Sequence, residues 1–256
     1  MNLFDASKLR ALLRTKSFGR VFEYHEDLDS TNRLLREQAG QGAVEGTVVL
    51  ADHQSQGKGR WGRHWESPKA KSLLFSVLLR PPEGKVLSQL SAVLGVALAR
   101  TLNRRLPLGT KALLKWPNDL WVEGRKLSGA LLEHSAGAVV AGIGLNCQQS
   151  ARDFQGGLEA VSLSTLEGGD IDREALLADL LLELESCYEA WKSSGFEAFK
   201  AEWNAGACFI GEMAAAGDIK GRVIGLDDTG ALLMQGDEGT LVLNSGEIKA
   251  FRPLPQ

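Results

Sequence analysis

Residues 113–146 read LLKWPNDLWVEGRKLSGALLEHSAGAVVAGIGLN. This stretch holds three strand-like runs, over 113–122, 126–134 and 138–146, separated by short gaps that contain glycine. Gaps of this kind are typical of hairpin turns, so the runs predict an antiparallel meander. Because helical patterns lie on both sides of the meander, the sequence predicts an α+β domain.

The sequence around the meander predicts further elements. Clusters of β-branched and apolar residues predict strands over 21–24, 46–51 and 72–79. Apolar residues at helical spacing predict helices over 5–13, 31–39, 87–106, 172–192 and 196–204. Ser30 is the predicted N-cap of the second helix, and Gly40 is its predicted C-cap.

The character of the sequence changes after Gly206. Strand-like runs over 219–226, 231–235 and 240–244 alternate with the turn sequences Asp-Asp-Thr-Gly and Gly-Asp-Glu-Gly. Short strands joined by tight turns predict a small β-barrel. We therefore predict two domains, residues 1–205 and residues 206–256.

Composition excludes several classes of protein. The 256 residues are 44% hydrophobic, which is enough for a core without disulfides or structural metals. Twenty-nine basic residues against 32 acidic ones give a net charge of −3, which argues against a surface built to bind nucleic acid or anionic lipid. Three widely spaced cysteines, without a signal peptide or an apolar run of membrane-spanning length, predict a reduced, cytoplasmic protein.

A loop rich in glycine and basic residues joins two of the predicted strands. Residues 57–62 match the G-x-G-x-x-G dinucleotide pattern, but Pro68 and clustered charges stand where that pattern requires a helix. The loop's basic residues are Lys58, Arg60, Arg63, Lys69 and Lys71. Such cations beside flexible glycines suit phosphate or carboxylate, and Trp61 and Trp65 favour ligand binding over the alternative of a solvated loop.

The pentapeptide Lys-Trp-Pro-Asn-Asp at 115–119 interrupts the first run of the meander. Because proline lacks a backbone donor, Pro117 predicts an edge or a bulge that turns Asn118 and Asp119 toward a site, with Asp119 helping to hold Mg²⁺. A turn that ends the strand is the alternative. Lys126 opens the next run, where it is either a charge for a bound anion or an exposed strand edge.

Two other kinds of site are not indicated. The four histidines lack the spacing of a transition-metal site, and no serine, cysteine and histidine pattern indicates a covalent nucleophile.

Five short blocks stand out in combination: Asp-Ser-Thr-Asn at 29–32, Gln-Ser-Gln-Gly-Lys-Gly-Arg-Trp-Gly-Arg-His-Trp at 54–65, Lys-Trp-Pro-Asn-Asp-Leu at 115–120, Arg-Lys-Leu-Ser-Gly at 125–129 and Gly-Ile-Gly-Leu-Asn at 142–146. Their order and spacing resemble the biotin protein ligase family. The resemblance extends from about residue 24 to the C-terminus, and five ordered blocks make it highly specific.

The resemblance implies a mixed sheet flanked by helices, followed by an SH3-like barrel. It also implies two half-reactions, in which biotin and Mg·ATP form biotinyl-5′-AMP, and a lysine of a biotin carboxyl carrier domain of acetyl-CoA carboxylase then accepts the biotin. Some members carry an N-terminal helix-turn-helix domain and act as repressors. Only about 23 residues precede the matched region, so we expect a ligase that does not bind DNA, with a homodimer left open.

The resemblance also implies roles for individual residues. Arg60 and Lys126 are the expected catalytic cations, with Lys58 in support, where lysine replaces an arginine of the family pattern. The expected biotin and nucleotide contacts are Ser30, Thr31, Asn32, Gln54, Gly57, Lys58, Gly59, Arg60, Trp65, Asn118, Lys126, Gly129 and Asn146. Of these, Ser30, Thr31, Asn32 and Gln54 match contacts to the biotin ureido ring, and Trp65 matches a position near adenine.

Two competing functions have distinct signatures. Lipoate ligases share this fold and the Lys-x-x-Gly block. Their own pattern, however, is Arg-Arg-x-x-Gly-Gly-Gly followed by His-Asp, which the chain does not contain. A nucleic-acid-binding protein is the second alternative. From Gly206 onward four basic and seven acidic residues give a net charge of −3, opposite to the sign that nucleic acid requires.

Overall fold

A computed structural model describes residues 3–154 and 159–250 of the chain. Seven strands form its central sheet: β1 (Phe22–Leu28), β2 (Val48–Gln54), β3 (Ser72–Leu79), β4 (Leu113–Lys115), β5 (Asp119–Val122), β6 (Arg125–Ser135) and β7 (Ala138–Asn146). Their spatial order is β1-β2-β3-β7-β6-β5-β4. β1 and β2 run parallel, and the other neighbours run antiparallel. The predicted mixed sheet is confirmed.

Six helices surround this sheet: α1 (Ala6–Leu12), α2 (Thr31–Gly40), α3 (Gln89–Asn103), α4 (Leu163–Glu167), α5 (Arg173–Ser194) and α6 (Glu197–Gly206). Helices α3 and α5 pack together, with α1 and α6 beside them, and their apolar residues join the large core. Helix α2 covers the opposite face, where Leu35 and Ala39 pack in a smaller cluster with β2, β3 and β7.

Helix cover on both faces explains the strand compositions. All eight residues of β3 are buried, as expected for a strand between two helical layers. In β7, Val139, Ala141 and Ile143 face the large core while Val140 faces α2. Because side chains alternate along a strand, Gly142 and Gly144 continue the α2 face and leave room above the sheet.

A second sheet follows α6. It comprises β8 (Met213–Ala216), β9 (Ile219–Leu226), β10 (Leu232–Gly236), β11 (Gly239–Leu243) and β12 (Lys249–Ala250), in the antiparallel order β11-β10-β9-β8-β12. No pairing between β11 and β12 occurs within residues 3–154 and 159–250, so closure into a barrel stays a prediction. So does the division at residue 206, and residues 251–256 of the second predicted domain lie outside the described part.

The first run of the meander is two strands. Residues 116–118 form a turn that ends β4 and starts β5, so the alternative of a strand-ending turn is the correct one for Pro117. The bulge lies instead between β5 and β6, at Leu120 and Trp121. Ser30 caps α2 as predicted, whereas the C-cap is Gln41 rather than Gly40.

Among the helices described, none combines the length and the apolar composition that a bilayer crossing requires.

Candidate active site

A cavity of about 930 Å³ lies above the glycines of β7, between α2, the loop at 57–66 and β4 to β6. One end, here called the neutral end, is formed by Ser30, Thr31, Asn32 and Gln54. The other, here called the charged end, holds Arg60, Lys115, Asp119 and Lys126. Uncharged hydrogen-bonding groups and concentrated charge thus occupy opposite ends of one cavity.

The start of α2 orients the neutral end. The Ser30 hydroxyl accepts the Arg33 N–H at 3.4 Å, which fixes the first turn of the helix. The backbone N–H of Thr31 donates to Gln54 Oε1 at 2.7 Å, and the Thr31 hydroxyl lies 3.0 Å from the same oxygen. These contacts fix the Gln54 amide, so that its Nε2 is the group turned away from Thr31.

Asn32 is held on all sides by the protein. Its Oδ1 lies 2.6 Å from the Ser76 hydroxyl, and its Nδ2 donates to Glu133 at 2.7 Å and to the Leu131 carbonyl at 3.2 Å. Ser76 is buried, and its hydroxyl also lies 2.7 Å from Thr31 Oγ1. Sequence reasoning missed Ser76 and Glu133, because neither stands in a recognisable motif.

The hydroxyl groups of Thr31 and Ser76 take part in several close contacts between oxygens. Three such contacts join Thr31 to Gln54, Thr31 to Ser76, and Ser76 to Asn32. Each hydroxyl carries one proton, and the amide oxygens of Gln54 and Asn32 only accept. Two protons therefore serve three contacts, so one of the three joins two oxygens with no proton between them.

Two glycines of β7 make room for the groups above them. A Cβ at Gly142 would lie 2.2 Å from Asn32 Oδ1, and one at Gly144 would lie 2.5 Å from Trp65 Cε2. Trp65 therefore rests directly on the backbone of β7. Its buried indole N–H has no hydrogen-bond partner in the described residues.

Lys126 faces the cavity because of the bulge. Lys126 and Gly129 stand three residues apart, so a regular strand would place them on opposite faces. The register shift beside Trp121 brings them together, and a Cβ at Gly129 would lie 3.0 Å from Lys126 Nζ. Lys126 Nζ lies 2.8 Å from Asp119 Oδ1 and 5.3 Å from the centre of the Trp65 ring.

The basic loop is attached to the C-terminal sheet. Arg60 donates to the carbonyl of Gly246 at 2.8 Å, and Arg63 pairs with Glu247 at 2.5 Å. We call residues 246–247 the rim. Burial lowers the pKa of Arg60, which as a guanidinium still keeps its charge at neutral pH, while the hydrogen bond from Arg63 lowers the pKa of Glu247.

Lys115 is a further cation of the charged end. Only 4% of the residue is exposed, and its Nζ lies 3.7 Å from the centre of the Trp121 ring. Burial lowers its pKa, opposed by the charges of Asp119 and Glu247. The motif at 115–119 does not by itself indicate a role for this lysine, since spacing alone does not reveal burial.

The donor set limits what metal the site can hold. Within the described residues no group of three or more histidine, cysteine, aspartate or glutamate side chains could hold a metal ion. Asp119 is one carboxylate that lines the charged end, 2.8 Å from Lys126 Nζ. Mg²⁺ is commonly bound by one or two carboxylates together with the phosphates of a substrate, so Asp119 fits a magnesium ion that arrives with a nucleotide.

Comparison with known proteins relates this geometry to a family. Residues 24–150 match the Biotin/lipoate A/B protein ligase family, and residues 212–249 match the Biotin protein ligase C terminal domain. The chain is 35% identical to the bifunctional ligase/repressor BirA of Bacillus subtilis over 95% of this chain and 78% of that protein. The chain belongs to the biotin protein ligase family.

Other relatives and solved structures agree with this membership. The biotin–[acetyl-CoA-carboxylase] ligase of Paracoccus denitrificans is 33% identical over 86% of this chain and 96% of its own. The biotin protein ligase from Aquifex aeolicus in complex with biotin and ATP superposes with a TM-score of 0.81 at 32% identity, covering 91% of this chain and 100% of that one.

In this member of the biotin protein ligase family, the predicted site residues lie together with one exception. The cavity is lined by Ser30, Thr31, Asn32, Gln54, Lys58, Gly59, Arg60, Trp65, Asn118, Asp119, Lys126, Gly129 and Asn146. Gly57 is not among the lining residues. A Cβ at Gly57 would lie 2.6 Å from the Trp65 carbonyl oxygen, so this glycine permits a close turn of the loop.

Two of the lining asparagines bond to backbone near the cavity. Asn118 donates from its side chain to the Ala130 carbonyl, clamping the turn before β5 onto β6. Asn146 donates to the Val161 carbonyl at 3.2 Å and to the Lys126 carbonyl at 3.4 Å. Both side chains therefore hold the strands that carry Asp119 and Lys126.

Proposed function

We propose that this ligase joins biotin to the AMP part of ATP and then transfers the biotin to a protein lysine. In the first step a biotin carboxylate oxygen attacks the α-phosphorus, the bond to the bridging oxygen breaks, and pyrophosphate leaves with that electron pair. In the second step a lysine ε-amine attacks the acyl carbon of biotinyl-5′-AMP, loses a proton, and releases AMP. The observation that carries the proposal is the placement of a neutral and a charged end in one cavity.

The neutral end suits the ureido ring of biotin. That ring has two N–H donors and one carbonyl acceptor, and the hydroxyl and amide groups of the neutral end supply acceptors and donors without a charge. An unpaired buried polar group costs about 1–3 kcal/mol, so such matching selects for the ureido group. Lipoate has no ureido group, so it would leave these positions unpaired.

The charged end suits the phosphate chemistry. Attack of one anion on another builds negative charge at the α-phosphate, and fixed cations stabilise that charge most effectively in a site without water. Arg60 and Lys126 are the proposed catalytic cations, with Lys58 in support. Asp119 would hold Mg²⁺, which supplies further positive charge to the phosphates. Trp65 offers a ring face for adenine.

A biotin carboxyl carrier domain is the proposed acceptor. The relatives named biotin–[acetyl-CoA-carboxylase] ligase support acetyl-CoA carboxylase as its source. Contacts from Arg60 and Arg63 to the rim close the loop over the cavity, which protects a mixed anhydride from water until the lysine arrives. The proposed location is the cytoplasm, which agrees with the proposed substrates ATP and a carrier domain.

Exchange of labelled pyrophosphate into ATP tests the first step. We expect exchange that depends on biotin and is absent with lipoate or without an acid. Exchange with lipoate alone would contradict the assignment of the neutral end, and absence of exchange with either acid would contradict a ligase function. Transfer of labelled biotin to a purified carrier domain then tests the second step.

A further inference from the structure

Lys115 is a buried cation with no ion-pair partner within residues 3–154 and 159–250. It is only 4% exposed and lines the cavity, and its Nζ lies over the Trp121 ring, 3.7 Å from the ring centre. Lys126, by contrast, is paired with Asp119 at 2.8 Å. Burial of a charged group is costly unless an opposite charge compensates it, which points to an anionic ligand.

The order of strands places Lys115 relative to the other groups. Across the sheet the cavity residues run from Gln54 on β2 through Gly142 on β7 and Lys126 on β6 to Asp119 on β5 and Lys115 on β4. Lys115 pairs in register with Asp119, so the two side chains emerge on the same face. Since neighbouring strands lie about 4.8 Å apart, Lys115 is about two strand spacings farther from the neutral end than Lys126.

A ligand that starts at the neutral end meets these cations in sequence. Its acid group and the α-phosphate come first, at Lys126, and the phosphates beyond them reach toward Lys115. Arg60 closes this end from the loop side through its bond to the rim. The remaining phosphates are the ones that leave as pyrophosphate.

We propose that Lys115 binds the β- and γ-phosphates of ATP and stabilises the departing pyrophosphate. This inference rests on the proposed function. The bond that breaks joins the α-phosphorus to the oxygen bridging to the β-phosphate, and the electron pair stays on that oxygen. An ammonium beside it stabilises the developing charge without proton transfer. Lys115 therefore acts in adenylate formation and has no part in transfer from the finished adenylate.

The test separates the two half-reactions in the Lys115→Met variant, which removes the charge and keeps an unbranched side chain over Trp121. We expect the KM values for ATP and for pyrophosphate in the exchange reaction to rise, and the exchange rate to fall about 100-fold. Transfer of biotin from purified biotinyl-5′-AMP to a carrier domain should match the wild-type rate. Thermal unfolding of the variant shows whether it is folded.

Lys85→Met is the matched control, because Lys85 also lies over a tryptophan ring, 5.5 Å from the centre of Trp191, outside the cavity. It should leave both half-reactions unchanged. If Lys115→Met lowers the rates of both half-reactions equally, or lowers neither, the inference about Lys115 is wrong. The proposed function would still stand as long as the wild type catalyses the exchange. Absence of exchange in the wild type would instead refute the proposed function.

Discussion

The two ends of the cavity are built in opposite ways. The neutral end is held by hydrogen bonds among α2, β2, β3 and β6, and its central side chains, Asn32 and Ser76, are buried. The charged end has the ion pair between Lys126 and Asp119 on neighbouring strands. It also has the contacts of the loop with the rim, which join residues that are 184 and 186 positions apart in the sequence. The first is held by contacts between helices and strands, whereas the second depends in part on contacts made by a loop.

The largest effect is expected from Lys126→Met. Loss of this cation should lower the rate of adenylate formation by about 100- to 1,000-fold while the affinity for biotin changes little, because the neutral end is untouched. Pyrophosphate exchange and biotin titration measure the two quantities. Pyrophosphate exchange near the wild-type rate in Lys126→Met would contradict a direct role for Lys126.

Gly142→Ala should instead disturb the hydrogen bonds of the neutral end and weaken biotin binding. Its Cβ would overlap Asn32 Oδ1, so the Asn32 side chain, which three hydrogen bonds hold in place, must move. We expect a loss of about 1–3 kcal/mol in biotin binding, or roughly 5- to 150-fold, with little change in the KM for ATP. Calorimetric titration measures the first quantity.

Gly40→Ala is the control for that substitution, since Gly40 ends α2 with nothing within 4 Å of an added Cβ. It should leave biotin binding unchanged and stabilise the fold slightly. Unchanged affinity in Gly142→Ala would show that Asn32 is free to move.

Glu133 allows a further test of the neutral end, because it orients Asn32 from outside the cavity. It accepts from Asn32 Nδ2 and pairs with Arg36 at 3.0 Å. Glu133→Ala should weaken biotin binding by about 1 kcal/mol, roughly fivefold, and Glu133→Gln should restore most of it because an acceptor remains. A loss confined to thermal stability, with equal biotin KM in both variants, would argue against this positioning role.

The smallest effect is expected at the rim. Arg63 and Glu247 are 64% and 30% exposed, so their pair should contribute at most about 1 kcal/mol to stability. Arg63 holds the pKa of Glu247 below its usual 4.5, so the contribution is fully present above pH 4.5 and is lost as the pH falls through the lowered value. The difference in unfolding free energy between wild type and Glu247→Gln should shrink accordingly in acid. If this difference in unfolding free energy stays constant as the pH falls below 4.5, the stabilising ion pair between Arg63 and Glu247 is contradicted.

Sequence patterns predicted much of the fold because many of its elements carry local signals. The bounds of β3, β7 and β9 match the runs over 72–79, 138–146 and 219–226. The division into β4 and β5 was missed because the apolar residues on both sides of Pro117 read as one run. Strand β8, Met-Ala-Ala-Ala, was missed because three alanines lack the β-branched character of a strand.

The cavity was predictable only in part. Motif residues such as Thr31, Gln54 and Lys126 carry recognisable spacing, and they line the cavity. Ser76 lies within an apolar strand, and the role of Glu247 depends on a contact with Arg63 across 184 positions. No local pattern encodes such contacts, because they follow from the packing of whole elements.

The bond from Arg60 to Gly246 also bears on the order in which the protein is made. Translation proceeds from the N-terminus, so the whole central sheet has been synthesised before the rim emerges from the ribosome. A nascent chain thus holds every strand of the cavity while its loop has nothing to close against. We expect ribosome-stalled chains ending before residue 246 to bind biotin yet to let the adenylate escape, measurable as labelled adenylate in the filtrate. The ability to retain the reactive intermediate then arises only after residues 246–247 have been synthesised.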